Sequence, residues 1–283
     1  MAAPTQTRPR TWTARVTAAA LVLGCLVAPH ARVTAAPADA TAASTRATDG
    51  GDHAAGSQIA LHEPGRPVDA AQLGVTGPTV PGMDVSSHQG DVDWPHWWAQ
   101  GMRFTYVKAT EGTGYTNPYY GQQYNGSYDV GMIRGAYHFA LPDRSDGVAQ
   151  ANYFVDHGGG WSADGRTLPG TLDIEYNPYG EDTCYGLSAD GMVTWIRQFS
   201  ETYQGRTGRW PMIYTSTLWW DRCTGRTGDF TATNPVWVAR YADEIGPLPH
   251  CWESHSIWQY SSTPIDQNAF NGTMDDLVAL ARG

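Results

Sequence analysis

Two carboxylates in the segment Leu172-Asp173-Ile174-Glu175-Tyr176 are the side chains of this chain best suited to chemistry. They end an apolar run, and alternate side chains of a β-strand point to the same face, so Asp173 and Glu175 would lie roughly 6–7 Å apart on one side. Burying two carboxylates together is costly unless they meet water, a partner or a substrate. One acid can then hold its proton while its neighbour stays ionised, as cleavage of a glycosidic bond requires. The simpler interpretation is a pair that caps loops at a strand end or binds a cation.

Large aromatic side chains indicate where a core can form. No Phe, Tyr or Trp occurs between residues 13 and 93, whereas eleven of the twelve Trp and all fifteen Tyr lie from Trp94 onward. Because such side chains dominate protein cores, the sequence predicts one catalytic domain over residues 81–283.

The first 35 residues have the features of an export signal peptide. Basic residues up to Arg15 precede an apolar stretch over residues 18–27, and residues 33–35 offer a cleavage site. Residues 36–80 are rich in Ala, Thr, Pro, Gly and Asp, and we interpret them as a disordered linker or a pro-segment. The protein is therefore expected to be secreted and extracellular.

Acidic residues outnumber basic ones. The chain has 28 Asp and Glu against 18 Lys and Arg, a formal net charge of −10. Loss of the signal peptide, which holds four arginines and no acids, would change this to −14. An acidic surface argues against nucleic acid and against anionic membranes as partners, and we expect a monomer.

Cysteine usage fits an exported protein. Of the four cysteines, Cys25 would leave with the signal peptide. Cys184 and Cys223 both lie in polar, loop-like surroundings and are the expected disulfide, with pairing to Cys251 as the open alternative. No Cys and His spacing typical of a zinc site occurs in the sequence.

Short apolar runs alternate with amphipathic stretches after Pro81. In one of these stretches, Met192, Ile196, Phe199 and Tyr203 recur at helical spacing. The alternation predicts a largely parallel sheet closed into a single irregular α/β barrel of the TIM type, with poor helices after residue 215 and a polar loop at residues 265–268. Strands are predicted at residues 82–86, 104–109, 133–139, 168–175, 211–214, 236–241 and 256–260, and helices at residues 149–157 and 190–203.

Polar side chains recur near the carboxyl ends of these strands, where the chemistry of such a barrel gathers. Asp84 lies in the first strand, Glu111 after the second and His138 in the third, and Asp173 with Glu175 lies in the fourth. Because separate strands converge on one rim, this placement favours a functional interpretation of the two carboxylates.

Each further candidate also has an ordinary structural explanation. Lys108, the only lysine of the chain, would need a carboxylate partner inside a strand, so a structural ion pair explains it as well as a role in the site. His138 would commonly be a hydrogen-bonded core residue. Side chains near later strand ends would either pack in the core or contact sugar rings at the rim. These are Tyr137, Tyr214, Trp237, Arg240, Trp258 and Tyr260.

Five segments, taken in order, resemble glycoside hydrolase family 25, the muramidases often called Chalaropsis-type lysozymes. They are Gly-Met-Asp-Val-Ser at residues 82–86, Val-Lys-Ala-Thr-Glu-Gly at 107–112, Gly-Ala-Tyr-His-Phe at 135–139, Leu-Asp-Ile-Glu at 172–175 and Trp-Gln-Tyr at 258–260. The resemblance covers about residues 80–282. It is strongest to secreted actinobacterial members, which share a Cys-Tyr-Gly-Leu-Ser segment like that at residues 184–188, and it supports the pairing of Cys184 with Cys223.

The resemblance implies a (β/α)5(β)3 barrel that cleaves the β-1,4 bond between N-acetylmuramic acid and N-acetylglucosamine in peptidoglycan glycan strands, with no metal or cofactor. Glu175 matches the proton donor of the family, and Asp173 matches the carboxylate that assists it. Asp84 and Asp266 match two further acidic positions that line the site. We expect net retention of anomeric configuration.

Two other functions fit the sequence less well. A chitinase-like hydrolase would carry the series Asp-x-x-Asp-x-Asp-x-Glu, but the two earlier Asp positions are Leu168 and Thr171 here. A catalytically inactive wall-binding barrel would most simply have lost the acid, whereas Glu175 is present.

Overall fold

Eight β-strands close a barrel in the computed structural model, which describes residues 52–66 and 68–283. The strands are β1 (Thr79–Val85), β2 (Phe104–Glu111), the two-residue β3 (Tyr115–Thr116), β4 (Ile133–Phe139), β5 (Thr171–Asp173), β6 (Met212–Thr215), β7 (Val236–Ala239), β8 (Ile257–Ser261) and β9 (Asp266–Asn271). Strand β3 extends the end of β2 as an antiparallel hairpin outside the barrel. The other strands pair in parallel from β1 to β8, and β9 lies antiparallel between β8 and β1 and closes the ring.

Helices follow only the first part of the barrel. They are α2 (Trp94–Ala99), α3 (Tyr120–Asp129), α4 (Gly147–Asp156), α5 (Ala189–Thr207) and α6 (Thr217–Thr224), each after one barrel strand. Strands β7, β8 and β9 then follow one another without an intervening helix in this described part of the chain, and α7 (Met274–Arg282) ends it. The predicted irregular (β/α)5(β)3 barrel is thus confirmed. None of the described helices has the length and apolar character needed to cross a membrane.

Helix α5 shows how local sequence sets these elements. The Ser188 side chain accepts a hydrogen bond from the Gly191 N–H at its start, and Gly208 ends it with φ +77°, a left-handed conformation that glycine adopts without strain. The four apolar side chains that predicted the helix are all buried. They pack with α4 against the barrel, so the predicted helix over residues 190–203 is confirmed and extends by one residue before and four after.

Two sequence-based boundaries were wrong. The strand predicted over residues 168–175 is only Thr171–Asp173 in β5, because Pro169 has no N–H to donate to a neighbouring strand. The polar loop predicted at residues 265–268 belongs largely to strand β9. Some of its inward side chains are polar, so the segment lacks the alternation of apolar and polar residues from which a strand is predicted.

The chain before the barrel is ordered against it where the structure describes it. Helix α1 (Ser57–His62) and a 3-10 turn over Ala70–Gln72 precede β1. These residues lie inside the segment that the sequence analysis interpreted as a disordered linker or a pro-segment. The predicted signal peptide over residues 1–35, and residues 36–51 of that segment, lie outside the described residues.

A disulfide joins Cys184, in the loop after β5, to Cys223 in α6, with 5.4 Å between the Cα atoms. This is the predicted pairing, and it is confirmed. Cys251 is unpaired and partly exposed. The bridge ties a long loop on the carboxyl side of β5 to a helix packed against the barrel.

Candidate active site

Four carboxylates from three strands lie together at one rim of the barrel. Asp84 lies near the carboxyl end of β1, Asp173 ends β5, and Glu175 follows it by two residues. Asp266 begins β9, and because β9 runs antiparallel to β1 its first residue is paired with Asp84. The side chains of Asp84, Asp173 and Glu175 have no exposed surface. The structure therefore brings together the four acidic residues that the sequence analysis selected.

Asp84 is oriented by two side-chain amides. Its Oδ2 accepts hydrogen bonds from Gln259 Nε2 at 2.9 Å and from Asn268 Nδ2 at 2.7 Å, whereas Oδ1 has no hydrogen-bond partner among the described residues. Burial raises the pKa of Asp84 to about 7, against the lowering effect of the two amide donors. The carboxyl is held in place with one oxygen uncommitted.

Asp173 is buried without any donor. Neither of its carboxyl oxygens has a hydrogen-bond partner in the part of the chain described. Burial, and then the charge of Glu175, raise its pKa well above the usual value. A buried carboxyl without partners is costly in a protein that has no use for it, so Asp173 has acceptor capacity for a molecule that enters the site.

Glu175 has the pKa best suited to a general acid. Burial raises the pKa of its carboxyl to about 8, although backbone N–H groups of Ile59, Gly56 and Gln58 and the charge of Lys108 act in the opposite direction. A carboxyl group with such a pKa keeps its proton near neutral pH, as a general acid must.

Glu111 has the opposite electrostatic character. Burial alone would raise its pKa, but hydrogen bonds from His53 and the charge of Lys108 lower it to about 2. Lys108 Nζ lies 2.5 Å from Glu111 Oε2, and the Tyr179 hydroxyl donates to Oε1 at 2.6 Å. A register shift between Lys108 and Thr110 lets the two charged side chains share a face three residues apart. Glu111 is an ionised partner of Lys108 and cannot act as the acid.

Three selected residues do not face the carboxylates. His138 Nδ1 and Nε2 lie 2.7 and 2.9 Å from the Thr110 hydroxyl and Gln150 Oε1, and burial lowers its pKa to about 4. His138 is therefore a hydrogen-bonded core residue, which was the ordinary structural explanation for it. Trp258 and Tyr260 pack with Val68 on the outer face of β8. Adjacent strand residues point to opposite faces, so these placements follow from the inward direction of Tyr137 and Gln259.

Other selected residues surround the carboxylates. Burial, and then the charges of Asp84 and Asp173, raise the pKa of Tyr137 well above its usual value. The Tyr214 hydroxyl donates to Gln259 Oε1 at 2.7 Å. Trp237 lies in the barrel interior, where its Nε1 donates to Asn268 Oδ1 at 2.9 Å. This bond supports the amide that holds Asp84.

Arg240 is exposed and lines a rim depression together with Glu63 and Tyr241. A second depression is lined by Glu111, Tyr115 and neighbouring residues. None of the four carboxylates lines either depression. No group of three or more His, Cys, Asp or Glu side chains within residues 52–66 and 68–283 is arranged to hold a metal ion.

Sequence reasoning missed Gln259 and Tyr241. Gln259 donates to Asp84, and its Oε1 accepts hydrogen bonds from both Tyr214 and Tyr241. The alternation along β8 could have identified it, because Gln259 is two residues from the buried Ile257 and shares its face. We had instead selected the aromatic neighbours on either side.

Comparisons with known proteins agree with this site. A family model described as Glycosyl hydrolases family 25 matches residues 83–269. Lysozyme M1 of Streptomyces globisporus is 47% identical over 210 residues, 71% of this chain and 71% of that protein. N,O-diacetylmuramidase of Chalaropsis sp is 48% identical over 212 residues, 72% of this chain and 100% of that protein. A solved muramidase structure from Acremonium alcalophilum is 52% identical with a TM-score of 0.70, and the match covers 72% of this chain and 99% of that one.

The barrel and its rim of carboxylates define a glycoside hydrolase. The chain belongs to glycosyl hydrolases family 25, as the resemblance of its five segments had predicted.

Proposed function

We propose that this protein is a secreted lysozyme that hydrolyses the β-1,4 bond between N-acetylmuramic acid and N-acetylglucosamine in bacterial peptidoglycan. The observation that carries the proposal is a fully buried Glu175, with a pKa raised by burial, among carboxyl groups at the rim of a family 25 barrel. The names of its relatives support the substrate class.

Glu175 acts as the general acid. It donates its proton to the glycosidic oxygen as the bond to the anomeric carbon breaks, which avoids expulsion of an alkoxide. Glu111 cannot replace it, because the Lys108 ammonium group keeps Glu111 ionised. Two glutamates at one rim therefore have separate roles, set by the groups around them.

The other carboxylates bind the substrate and stabilise the positive charge that develops on the sugar. Asp173 accepts the N–H of the substrate acetamido group, for which its unpartnered oxygens are available. Asp84, oriented by Gln259 and Asn268, and Asp266 face the positive charge of the oxocarbenium-like transition state. We expect net retention at the anomeric carbon.

Secretion is supported by the disulfide, which persists in oxidising surroundings, and by the predicted signal peptide. The acidic chain has no expected affinity for nucleic acid or for an anionic membrane. The substrate partner is the glycan strand of peptidoglycan, and the enzyme acts as a monomer.

Product analysis of digested peptidoglycan tests the proposal. Purified cell walls are incubated with the intact chain and with chain from which limited proteolysis has removed the residues before β1, since residues 56–59 contact Glu175. New reducing ends on muramic acid support a muramidase. New ends on glucosamine indicate hydrolysis of the other bond, as in the chitinase-like alternative, and no new ends from either sample indicate a wall-binding barrel.

A further inference from the structure

Residues 52–66, here called the strap, lie across the rim of the barrel and contact the proposed acid directly. Glu175 Oε1 accepts a hydrogen bond from the Gly56 N–H at 2.7 Å, and Oε2 accepts from the Gln58 and Ile59 N–H groups at 3.1 and 2.7 Å. These donors fill the space beside the carboxyl that a glycosidic oxygen would need, and they lower the pKa of Glu175 against the larger raising effect of burial.

One end of the strap binds the Lys108–Glu111 pair. Asp52 Oδ1 and the His53 carbonyl oxygen each accept a hydrogen bond from Lys108 Nζ at 2.7 Å. The His53 backbone N–H and Nδ1 each lie 2.9 Å from a Glu111 carboxyl oxygen. The strap thus satisfies both charges of a buried pair, and its removal would leave these groups to solvent or to substrate.

The middle and far end of the strap contact the polar side chains around the carboxylates. The Tyr241 hydroxyl oxygen lies 3.2 Å from the Gly56 carbonyl oxygen. The His62 ring stacks on Tyr176 with 4.2 Å between ring centres, and the Tyr176 hydroxyl donates to Glu63 at 2.9 Å. Ala55 and Ile59 each retain only 1% of their surface exposed, so the strap is inserted into the rim.

Gly56 shows that the fit depends on this one residue type. Its φ is +80°, and a Cβ atom added there would lie 2.0 Å from the Tyr241 hydroxyl oxygen and 2.5 Å from both Gln259 Oε1 and the Tyr214 hydroxyl oxygen. Any side chain at this position would therefore collide with the side chains around the carboxylates. A substitution here displaces the strap without changing a residue of the barrel.

The chain between the strap and β1 is open to cleavage. Val68 is buried against Trp258 and Tyr260, but residues 74–79 are exposed, and a Cβ atom at Gly77 would meet nothing within 4 Å. Strand β1 begins at Thr79, so a cut before that residue leaves every barrel strand intact. A short connection keeps the strap at a high effective concentration, on the order of millimolar, and a cut abolishes that advantage.

We propose that the strap is an inhibitory pro-segment that keeps the enzyme latent, and that an extracellular endopeptidase activates it by cutting within residues 74–78. In that step water adds across one peptide bond and leaves a new carboxylate on the strap fragment and a new amine on the barrel. The strap fragment then dissociates, and the glycan strand takes its place against the four carboxylates. This inference rests on the proposed lysozyme function.

The full-length chain and its Gly56→Val variant provide the direct test, with release of reducing ends from peptidoglycan as the measurement. The wild-type chain is expected to be at least about tenfold less active than Gly56→Val, because rate follows the fraction of molecules whose site is open. Gly77→Val, in open space in the connection between the strap and β1, is the matched control and is expected to stay as latent as the wild type.

A second form of the experiment does not depend on how Gly56→Val folds. A recognition sequence for a site-specific endopeptidase replaces residues 74–78 in the full chain, and activity is compared before and after cutting and dilution. Cutting is expected to raise activity by at least about tenfold. A synthetic peptide of residues 52–66 is then expected to inhibit the cut enzyme, and the same peptide with Gly56→Val is not.

The possible failures are distinguishable. If the wild-type, Gly56→Val and cut chains all hydrolyse peptidoglycan at the same rate, the pro-segment inference is wrong and the lysozyme function stands. If the cut and Gly56→Val chains are folded but release no reducing ends, the proposed lysozyme function is wrong and the inference falls with it.

Discussion

Replacement of the proposed acid is the sharpest test of the mechanism. Glu175→Gln, made in the Gly56→Val background so that the strap is displaced, is expected to lower the rate of peptidoglycan hydrolysis by at least about a hundredfold while the fold is kept. General acid catalysis contributes about 10²–10⁴-fold in rate, and a glutamine amide cannot supply it. Using this background separates the loss of the acid from any change in strap binding.

The structure explains why no neighbour should rescue the variant. Under the strap, burial raises the pKa of Glu175 to about 8, so that its carboxyl group keeps its proton at pH 6. Glu111 stays ionised beside the Lys108 ammonium group, a barrel residue whose charge lowers the pKa of Glu111 whether or not the strap is bound. Removing the strap takes away part of the burial that raises the pKa of Glu175 and also the three N–H donors that lower it. We therefore expect that pKa to stay above its ordinary value of 4.5.

The assay is the initial rate of reducing-end release between pH 4 and pH 9. Activity is expected to fall as pH rises through the pKa of Glu175, because only the protonated acid reacts, and Glu175→Gln is expected to lack this limb. Glu201→Gln, at an exposed position of α5, is the matched control and should leave the rate unchanged. A folded Glu175→Gln protein that retains more than about a tenth of the rate would refute the assignment of Glu175 as the acid.

Three further predictions concern activity and stability. Asp173→Asn is expected to lose more activity than Glu111→Gln in the same strap-displaced background, since Asp173, unlike Glu111, has carboxyl oxygens without a partner among the described residues; equal losses of reducing-end release would move the centre of the site to β2. Cys184→Ser is expected to lower the free energy of unfolding by about 4 kcal/mol, because the disulfide closes a loop of 39 residues. Cys251→Ser is its control, and equal denaturation midpoints for the two variants would contradict that reasoning. Burial holds the pKa of His138 at about 4, below its ordinary value of 6.5, so the unfolded state takes up a proton at a higher pH than the folded state does. The free energy of unfolding is therefore expected to fall by about 3 kcal/mol as the pH falls from 6.5 to 4. His138→Gln should flatten this part of the stability curve in urea unfolding, and an unchanged slope would exclude His138 as its source.

Strand alternation explains which site residues could be selected from the sequence. Asp173 and Glu175 are two residues apart, and the pattern alone predicts that they act together. Tyr137 and His138 are adjacent, so only one of them can face the carboxylates, and the choice depends on which face of β4 is the barrel interior. The same uncertainty led to Trp258 and Tyr260 in place of Gln259, because large aromatic side chains are the more visible signal.

Strand β9 shows a different limit on what can be predicted from the sequence. Asp266 and Asn268 read as loop residues, because polar side chains on the inward face of a strand are normally too costly to bury. In the barrel Asp266 is paired with Asp84, and Asn268 donates to Asp84 and accepts from Trp237. Partners from distant segments repay the cost, and no local pattern can reveal them.

The amino-acid sequence by itself determined the class of fold, the acidic residues, the disulfide and the family, since these depend on residue type, spacing and order along the chain. The resemblance to the family already named Glu175 as the proton donor, but only the tertiary structure gives the physical reason, because the pKa values of Glu175 and Glu111 depend on burial and on charges brought from other strands. The tertiary structure also decided that a segment with no large aromatic side chain lies on the acid. The strap contacts Glu175 through backbone N–H groups, which every residue but proline carries, so its side chains do not indicate that it covers the acid.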